Sequence, residues 1–363
     1  MLDSDIFEVF KIVMVTFLFS IFIVEIMKRV AHHIGAIDVP RSDEGNRHIH
    51  KRPIPKLGGV GIFLAFLFGY MLFGQHSIKM NAILISSFII ILTGIVDDIS
   101  DLRASRQLLA QLAAACIIVF YGKITLTDIT VFNLNITFGI FEELITLFFI
   151  VACINIINFT DGLDGLSGGV TSIFYLTTAI ICFYQGRLGS LEMTLTLIML
   201  GATLGFLVHN FYPARIFAGQ CSMFMGFMIS IICLLGFKGT ALTSLFIPLA
   251  ILGLPILDTL FAILRRALKG QPIFKADKFH FHHQLLGMNF SQRSTVLIIY
   301  LINILFALTS IFYVLKDQQA AIGIYIVLTI IVVWFVCYTN IVTEKRPPNI
   351  KEIKEKVKEL KKK

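Results

Sequence analysis

The chain alternates long apolar runs with short polar segments as far as about residue 342. The apolar runs are roughly 16 to 25 residues long, the length at which an α-helix crosses a hydrocarbon core about 30 Å thick. The pattern therefore predicts an all-α integral membrane protein with about eleven transmembrane helices. The approximate spans are 6–28, 58–74, 82–98, 107–121, 140–157, 168–185, 191–209, 222–237, 240–264, 295–315 and 320–342.

Two regions depart from this helical pattern. Residues 123–138 alternate β-branched and other apolar residues with polar ones, which predicts a small external β-hairpin. Residues 343–363 alternate lysine and glutamate, which is typical of a basic cytoplasmic tail lying at an anionic leaflet. The prediction is thus a single polytopic membrane domain over residues 1–342, followed by that tail.

Composition and charge support a membrane protein and give its orientation. The chain is 56% hydrophobic and only 15% charged, far from the balance of a soluble domain. Basic residues collect on the cytoplasmic side of membrane segments, and an external N-terminus with a cytoplasmic C-terminus leaves few of the 31 lysines and arginines outside. The net charge of +8 then belongs to the inward loops and the tail, so no nucleic-acid partner is expected. The outward residues are Lys79, Lys123, Arg187, Lys238 and Lys316.

Five polar clusters fall at the predicted inner ends of the apolar segments. Charged and amide side chains are costly next to hydrocarbon, so their presence on a single face indicates catalysis on a charged substrate. A transporter is a distant alternative, because its site would lie near the bilayer midplane between related halves. The clusters are Arg47–His50, Asp97–Asp98, Asn155–Asp164, Asn210–Ser222 and Asp277–His283.

The carboxylates and amides of these clusters are suited to a phosphate substrate with a divalent cation. Adjacent Asp97 and Asp98 repel each other unless a cation lies between them, which favours a Mg²⁺ site bridging substrate phosphates over a solvated helix end. Asp161 and Asp164, separated by flexible glycines, can turn toward one cavity, although ordinary turn chemistry is the alternative. The cationic loop at Arg47 can bind phosphate, or else lipid headgroups.

The histidine cluster and its neighbours form a second candidate region. Three histidines suggest zinc, but zinc sites usually add cysteines or a carboxylate at wider spacing, so contacts to a diphosphate are favoured. The residues of this region are Asp258, Arg265, Arg266, His280, His282 and His283.

Taken together, these motifs resemble those of the polyprenyl-phosphate N-acetylhexosamine-1-phosphate transferases. This family includes enzymes that start teichoic-acid, O-antigen and enterobacterial common antigen synthesis, and it is related to phospho-MurNAc-pentapeptide transferase. The similarity runs from about residue 35 to 315 and includes the family's eleven-segment topology. The matching stretches are His50 with Pro53–Gly59, Gly94–Asp98 with Gln111, Asn155–Leu166, Asn210–Phe211, Pro255–Arg266 and His280–His283 with Leu285–Leu286.

The resemblance implies transfer of N-acetylglucosamine 1-phosphate from UDP-N-acetylglucosamine to undecaprenyl phosphate, with release of UMP. It implies a multi-pass protein of the bacterial plasma membrane with a cytoplasmic active site and Mg²⁺, or alternatively Mn²⁺, as cofactor. A homodimer is left open. The implied catalytic residues are Asp97, Asp98, Asp161 and Asp164; the implied substrate-binding residues are Arg47, His50, Asn155, Asn158, Asn210, Asp258, Arg265, Arg266, His280, His282 and His283; and the implied metal ligands are Asp97, Asp98, Asp161 and Gln220.

One departure from the family pattern bears on activity. Relatives carry Gly-Asp-x-Gly-Ser where this chain has residues 217–223, so Gln220 offers a neutral amide in place of a metal-binding carboxylate. A catalytically impaired relative that binds the donor or the lipid phosphate is therefore an alternative function, as is a phospho-MurNAc-pentapeptide transferase. Direct attack by the lipid phosphate and a covalent aspartyl intermediate both fit the residues, and direct attack is preferred.

Overall fold

The structure is a computed structural model that describes residues 2–39, 52–131, 134–236, 251–268, 270, 280–315 and 318–338. In this part of the chain, nine helices are long and apolar enough to cross a membrane, and Gly58–Phe73 is a shorter apolar helix. The predicted all-α membrane fold is therefore confirmed. The predicted segment 240–264 lies partly outside the described residues, and Gly253–Leu268 is the helix found at its end.

The chain divides into two compact units, of which the first is Met1–Pro248. Several of its consecutive helices are joined by connections of only a few residues, so these neighbours run in opposite directions across the bundle. The helices are α1 (Leu2–Ile34), α2 (Gly58–Phe73), α3 (Ile78–Ser100), α4 (Ala104–Cys116, continued by a π-helical turn at Ile117–Tyr121), α5 (Glu142–Thr160), α6 (Leu166–Tyr184), α7 (Leu191–Asn210) and α8 (Met223–Gly236).

Two short antiparallel strand pairs accompany these helices. In the first, β1 (Ile37–Asp38) pairs with β2 (Ile54–Pro55) next to the start of α2. In the second, β3 (Asp128–Val131) pairs with β4 (Leu134–Thr137), with Asp128 opposite Thr137. The second hairpin falls within the stretch that the sequence pattern assigned to strands, and its position outside the membrane remains a prediction.

Helices α1 and α7 pack closely through small residues. Gly201 and Gly205 are four residues apart on α7, and a β-carbon at Gly205 would lie 2.5 Å from the Ser20 Cβ on α1. The Ser20 hydroxyl donates a hydrogen bond of 2.7 Å to the Ala202 carbonyl across the same interface. Because lipid offers no hydrophobic drive between helices, such close backbone approach and polar pairing stabilise the contact.

Enlarging Gly205 is expected to destabilise the bundle. A Gly205→Val side chain meets the Phe17 carbonyl and the Ser20 side chain, and overpacking of this kind typically costs about 1–3 kcal/mol. The melting temperature in detergent, followed by size-exclusion chromatography after heating, should fall. Gly323→Val is the control, because nothing lies within 4 Å of a β-carbon there; equal melting temperatures for the two variants would contradict the α1–α7 contact.

The second unit is Leu249–Lys363. Within it α11 (Gln292–Leu315) contacts α9 (Gly253–Leu268), α10 (Phe281–Gly287) and α12 (Gln318–Tyr338). Aromatic pairs support this packing, since the ring centroids of Phe306 and Tyr325 are 5.4 Å apart, as are those of Phe281 and Phe335. The histidine cluster is carried at the start of the short helix α10.

Candidate active site

The ends of three parallel helices bring polar residues together in the first unit. Asp97 and Asp98 lie in the last turn of α3, Asp161 directly follows α5, and Asn210 is the last residue of α7. A 3₁₀ turn at Gly219–Ser222 precedes α8 and contacts both α3 and α5. The candidate site therefore lies at one end of the bundle, where helices running in the same direction finish.

The segment Pro55–Gly59 holds the approach to that 3₁₀ turn. The Phe217 N–H donates to the Pro55 carbonyl at 2.8 Å, and the Gly58 N–H donates to the Phe217 carbonyl at 2.8 Å. The Gly59 N–H donates to the Ala218 carbonyl at 3.1 Å. Backbone donors at the start of α2 are thus bonded to this loop, which fixes the position of Gly219 and Gln220.

Asp98 points toward the turn. The Gln220 N–H donates to both oxygens of the Asp98 carboxylate, at 3.0 and 3.2 Å. Gly219 has φ +66°, and a β-carbon there would collide with the Asp98 carboxylate and the Lys56 carbonyl. The charges of Lys56 and Asp161 also act on Asp98. This carboxylate is therefore oriented by the turn and lies within electrostatic range of Asp161.

Asp97 has different contacts from its neighbour. Its side chain is buried, and its carboxylate accepts hydrogen bonds from the Leu102 N–H and from Gln107 Nε2, the second at 2.6 Å. Both donors belong to the connection into α4 and its first turns. Asp97 therefore stabilises the junction between α3 and α4. Because Asp98 is the next residue in the same turn of α3, this also helps to hold Asp98 in position.

Asp161 lies where α5 ends, and its Oδ1 accepts a 2.5 Å hydrogen bond from the Ser167 hydroxyl. Burial, with a smaller contribution from the nearby Asp164 charge, raises the pKa of Asp161 to about 6, although the hydrogen bond from Ser167 acts to lower it. Since burial disfavours the negative form, a cation beside Asp161 would stabilise its carboxylate.

Asp164 and Asn210 join two loops. The Asp164 carboxylate accepts from the Ala214 N–H at 2.9 Å. The Asn210 side chain accepts from the Gly165 N–H at 2.9 Å and donates to the Ile216 carbonyl at 2.9 Å. Both side chains are buried, and their hydrogen bonds join the loop after α5 to the loop after α7.

An amide at position 164 is expected to preserve most of the activity. Asp164→Asn keeps one oxygen that can accept from the Ala214 N–H, so the loop contact is retained and the rate should fall less than tenfold. The initial rate of the transfer reaction that the sequence resemblance implies and the melting temperature check this, with Asp164→Leu as the matched variant that removes the acceptor. A loss of 10³-fold in Asp164→Asn would instead show that its charge acts in the reaction.

The amides of α5 form a row beside these carboxylates. Asn155 Nδ2 donates to the Gln111 side-chain oxygen at 2.7 Å. Asn158 Nδ2 donates to Gln220 Oε1 at 3.4 Å, and the Ser222 hydroxyl donates to Asn158 Oδ1 at 2.8 Å. The structure therefore joins the predicted residues Asn158 and Gln220 in one polar network and bonds the predicted residue Asn155 to Gln111.

No role was predicted from the sequence for several side chains that the structure places in this site. Lys56 belongs to the motif before α2, and its ammonium nitrogen lies 3.6 Å from Asp38 while its charge acts on Asp98. Gln107 and Ser167 bind predicted aspartates, and Ser222 binds a predicted asparagine. A cation next to two glycines in a loop predicted to bind phosphate was the available signal for Lys56; the other three have ordinary polar side chains that carry no such signal.

The second unit contains its own polar cluster. His280 Nδ1 lies 3.0 Å from one Asp258 oxygen, and the Phe281 N–H donates to the other at 2.7 Å. The His280 and His282 rings stack 5.8 Å apart, and the His282 and His283 rings are 4.2 Å apart. Burial, and then the neighbouring histidines, lower the pKa of His282 well below its usual value, so its ring is neutral at neutral pH.

The remaining predicted binding residues are not among the described residues of the first unit. Arg265 and Arg266 are both buried in the last turn of α9 in the second unit. Arg47 and His50 lie outside the described residues.

A divalent cation fits the first unit when its substrate completes the coordination. Across the residues that the structure describes, no three His, Cys, Asp or Glu side chains are grouped to hold a metal ion by themselves. Mg²⁺ in phosphate-handling sites is commonly held by one or two carboxylates, with substrate phosphates and water supplying the rest. Asp98 and Asp161 are the carboxylates that would form such a pair, since the Asp161 charge acts on Asp98 and a cation would offset both negative charges.

Comparison with known proteins identifies relatives along the whole chain. A family profile described as Glycosyl transferase family 4 matches residues 80–237. The chain is 38% identical to a probable undecaprenyl-phosphate N-acetylglucosaminyl 1-phosphate transferase of Bacillus subtilis (strain 168), with 99% of each chain covered. It is 32% identical to a decaprenyl-phosphate N-acetylglucosaminephosphotransferase of Mycobacterium tuberculosis, with 81% of this chain and 80% of the relative covered.

A third relative, the undecaprenyl-phosphate alpha-N-acetylglucosaminyl 1-phosphate transferase of Escherichia coli (strain K12), is 26% identical, with 78% of each chain covered. The fold, the carboxylates at its helix ends and these similarities define a multi-pass membrane transferase. The chain belongs to the polyprenyl-phosphate N-acetylhexosamine-1-phosphate transferase family, which confirms the resemblance found in the sequence motifs.

Proposed function

We propose that the protein transfers N-acetylglucosamine 1-phosphate from UDP-N-acetylglucosamine to undecaprenyl phosphate at the inner face of the bacterial plasma membrane. The observation that carries the proposal is the placement of Asp98 beside Gln220 and within electrostatic range of Asp161. The substrates named for the relatives of Bacillus subtilis and Escherichia coli support this choice. The product, undecaprenyl-diphospho-N-acetylglucosamine, would begin a cell-wall or surface polysaccharide.

The reaction that we favour is direct attack by the lipid phosphate. An oxygen of undecaprenyl phosphate forms a bond to the donor β-phosphorus, and the bond from that phosphorus to the bridging oxygen breaks, so that UMP leaves with this oxygen. A phosphate monoester has a second pKa near 6 and is mostly dianionic at neutral pH. The attacking oxygen therefore has no proton to lose, and positioning is more important than a general base.

The site residues would position and neutralise the phosphates. Asp98 and Asp161 would hold Mg²⁺, or Mn²⁺ in its place, and the cation would offset negative charge on the donor diphosphate as the leaving group departs. Asp97 keeps the end of α3 in place through Leu102 and Gln107. The Lys56 ammonium adds positive charge beside Asp98, where an incoming phosphate needs it.

A transfer assay tests this function directly. Purified protein with Mg²⁺, undecaprenyl phosphate and UDP-N-acetylglucosamine should release UMP and form a lipid diphosphate sugar, detected by mass spectrometry. It should also exchange radiolabelled UMP into UDP-N-acetylglucosamine. UDP-MurNAc-pentapeptide is the competing donor, and a higher rate with it would favour the pentapeptide transferase instead.

A specific observation favours a second candidate, a catalytically impaired relative that binds lipid phosphate or donor. The turn carries the neutral Gln220 where the family pattern has an aspartate, so it offers one carboxylate fewer to a cation. If wild-type protein binds UMP but shows no exchange, and exchange appears only when the Gly-Asp-x-Gly-Ser turn is restored, this second function is the correct one.

A further inference from the structure

We propose that Gln220 donates a hydrogen bond to a phosphate oxygen of a substrate, through its side-chain nitrogen. The family resemblance implied a metal-ligand role for this residue because of its position in the turn. The inference rests on the proposed function, since it assumes that a phosphate occupies the space beside Asp98. It gives the residue a binding role that a carboxylate at the same position could not perform.

The backbone fixes where the side chain begins. The Gln220 N–H is bonded to both oxygens of Asp98, and Gly219 packs against that carboxylate and the Lys56 carbonyl. From this point the side chain reaches across to Asn158 near the end of α5. Gln220 therefore bridges the two helix ends that carry Asp98 and Asp161.

In the structure, the oxygen end of the Gln220 amide faces Asn158. The Ser222 hydroxyl donates to Asn158 Oδ1 at 2.8 Å, and Asn158 Nδ2 donates to Gln220 Oε1 at 3.4 Å. The oxygen of Gln220, the atom that a metal ion would require, already has a donor. In the part of the chain that the structure describes, no acceptor is found for Gln220 Nε2.

A phosphate supplies the acceptor that this nitrogen lacks. Gln220 is partly exposed, and phosphate oxygens accept hydrogen bonds, whereas a divalent cation is repelled by an N–H donor. Hydrogen bonds to charged groups contribute enough to change affinity by about tenfold or more. The phosphate could belong to the polyprenyl acceptor or to the nucleotide, and the two are distinguished by binding experiments.

The opposite orientation of the Gln220 amide, with its oxygen directed away from Asn158, requires the side-chain amides of Asn158 and Gln220 to rotate together. The Ser222 hydroxyl can also accept a hydrogen bond, so rotating Asn158 and Gln220 by 180° would direct Gln220 Oε1 into the site as a metal ligand. The two arrangements make different predictions for a variant that removes both amide atoms. Gln220→Met has similar length and neither donates like an amide nor offers an oxygen.

The experiment compares wild-type protein with Gln220→Met and Gln220→Leu in detergent. Farnesyl phosphate and UMP are titrated separately in EDTA by calorimetry, and Mn²⁺ binding is measured by electron paramagnetic resonance. We expect affinity for one of the two phosphates to fall about tenfold in both variants, with Mn²⁺ affinity unchanged within twofold. Gln185→Met is the matched control, because Gln185 lies at the opposite end of α6, one membrane-spanning helix away.

Unchanged affinity for both phosphates in EDTA would overturn the proposal, and so would the absence of any such binding in wild-type protein. Weaker Mn²⁺ binding in both variants, with phosphate affinity intact, would assign Gln220 to the metal. Retained Mn²⁺ binding also reports that a variant is folded. The proposed function is judged separately by UMP release from wild-type protein, which can succeed even if Gln220 has no part in phosphate binding.

Discussion

Asp98→Asn is expected to reduce the rate of UMP release by about 10³-fold or more while leaving the protein folded. Asparagine has the same shape and keeps an oxygen that can accept from the Gln220 N–H, so the turn at Gly219–Ser222 should remain in place. It loses the negative charge that would hold Mg²⁺ against the donor diphosphate. Charge stabilisation by a bound cation contributes several kcal/mol to such transition states, which corresponds to a loss of this size.

Asp101→Asn provides the control for removing a negative charge from the same turn. Asp101 is exposed, ends α3 with φ 45°, and bonds to the Asp97 carbonyl through its backbone N–H. Asparagine tolerates this left-handed conformation, so the activity should stay within about twofold of wild type. The measurement is the initial rate at saturating Mg²⁺, together with the melting temperature, for both variants. A near-native rate for Asp98→Asn would show that the Asp98 charge is not required and would contradict the proposed site.

The sequence predicted the helices well because their signal is local. A long apolar run must satisfy its backbone hydrogen bonds internally when it lies in lipid, so length and hydropathy alone predict a helix. The first segment shows where this fails, since the predicted span 6–28 corresponds to a helix of 33 residues, Leu2–Ile34. Polar residues at both ends extend this helix, and hydropathy does not detect them.

The candidate site was predicted as a set of residues, but their separate contacts were not. Asp97 and Asp98 are adjacent in sequence, yet successive helical residues point about 100° apart, so one faces the α4 junction and the other faces Gln220. Asp161 and Asp164 likewise have different partners, Ser167 and Ala214. These contacts depend on how distant loops meet, which no spacing in the sequence contains.

Gly219→Ala is expected to reduce activity by about 10²-fold or more, because it displaces the carboxylate that Asp98→Asn neutralises. Gly219 has φ +66°, and its β-carbon would collide with Asp98 and with the Lys56 carbonyl. A non-glycine residue in this conformation costs roughly 1–2 kcal/mol in addition to the collision. Asp98 must then move away from its position, and a shift of about 1 Å in a positioned group can cost 10²-fold in rate.

Gly186→Ala separates the collision from the backbone strain. Gly186 also has φ +66°, but nothing lies within 4 Å of a β-carbon there. Both variants should lose similar stability from the left-handed backbone, whereas only Gly219→Ala should lose activity. Melting temperatures and initial rates of UMP release, measured for both, make the comparison. If Gly219→Ala retains a rate close to that of Gly186→Ala, the turn does not need to hold Asp98 in place, and the carboxylate can act from more than one position.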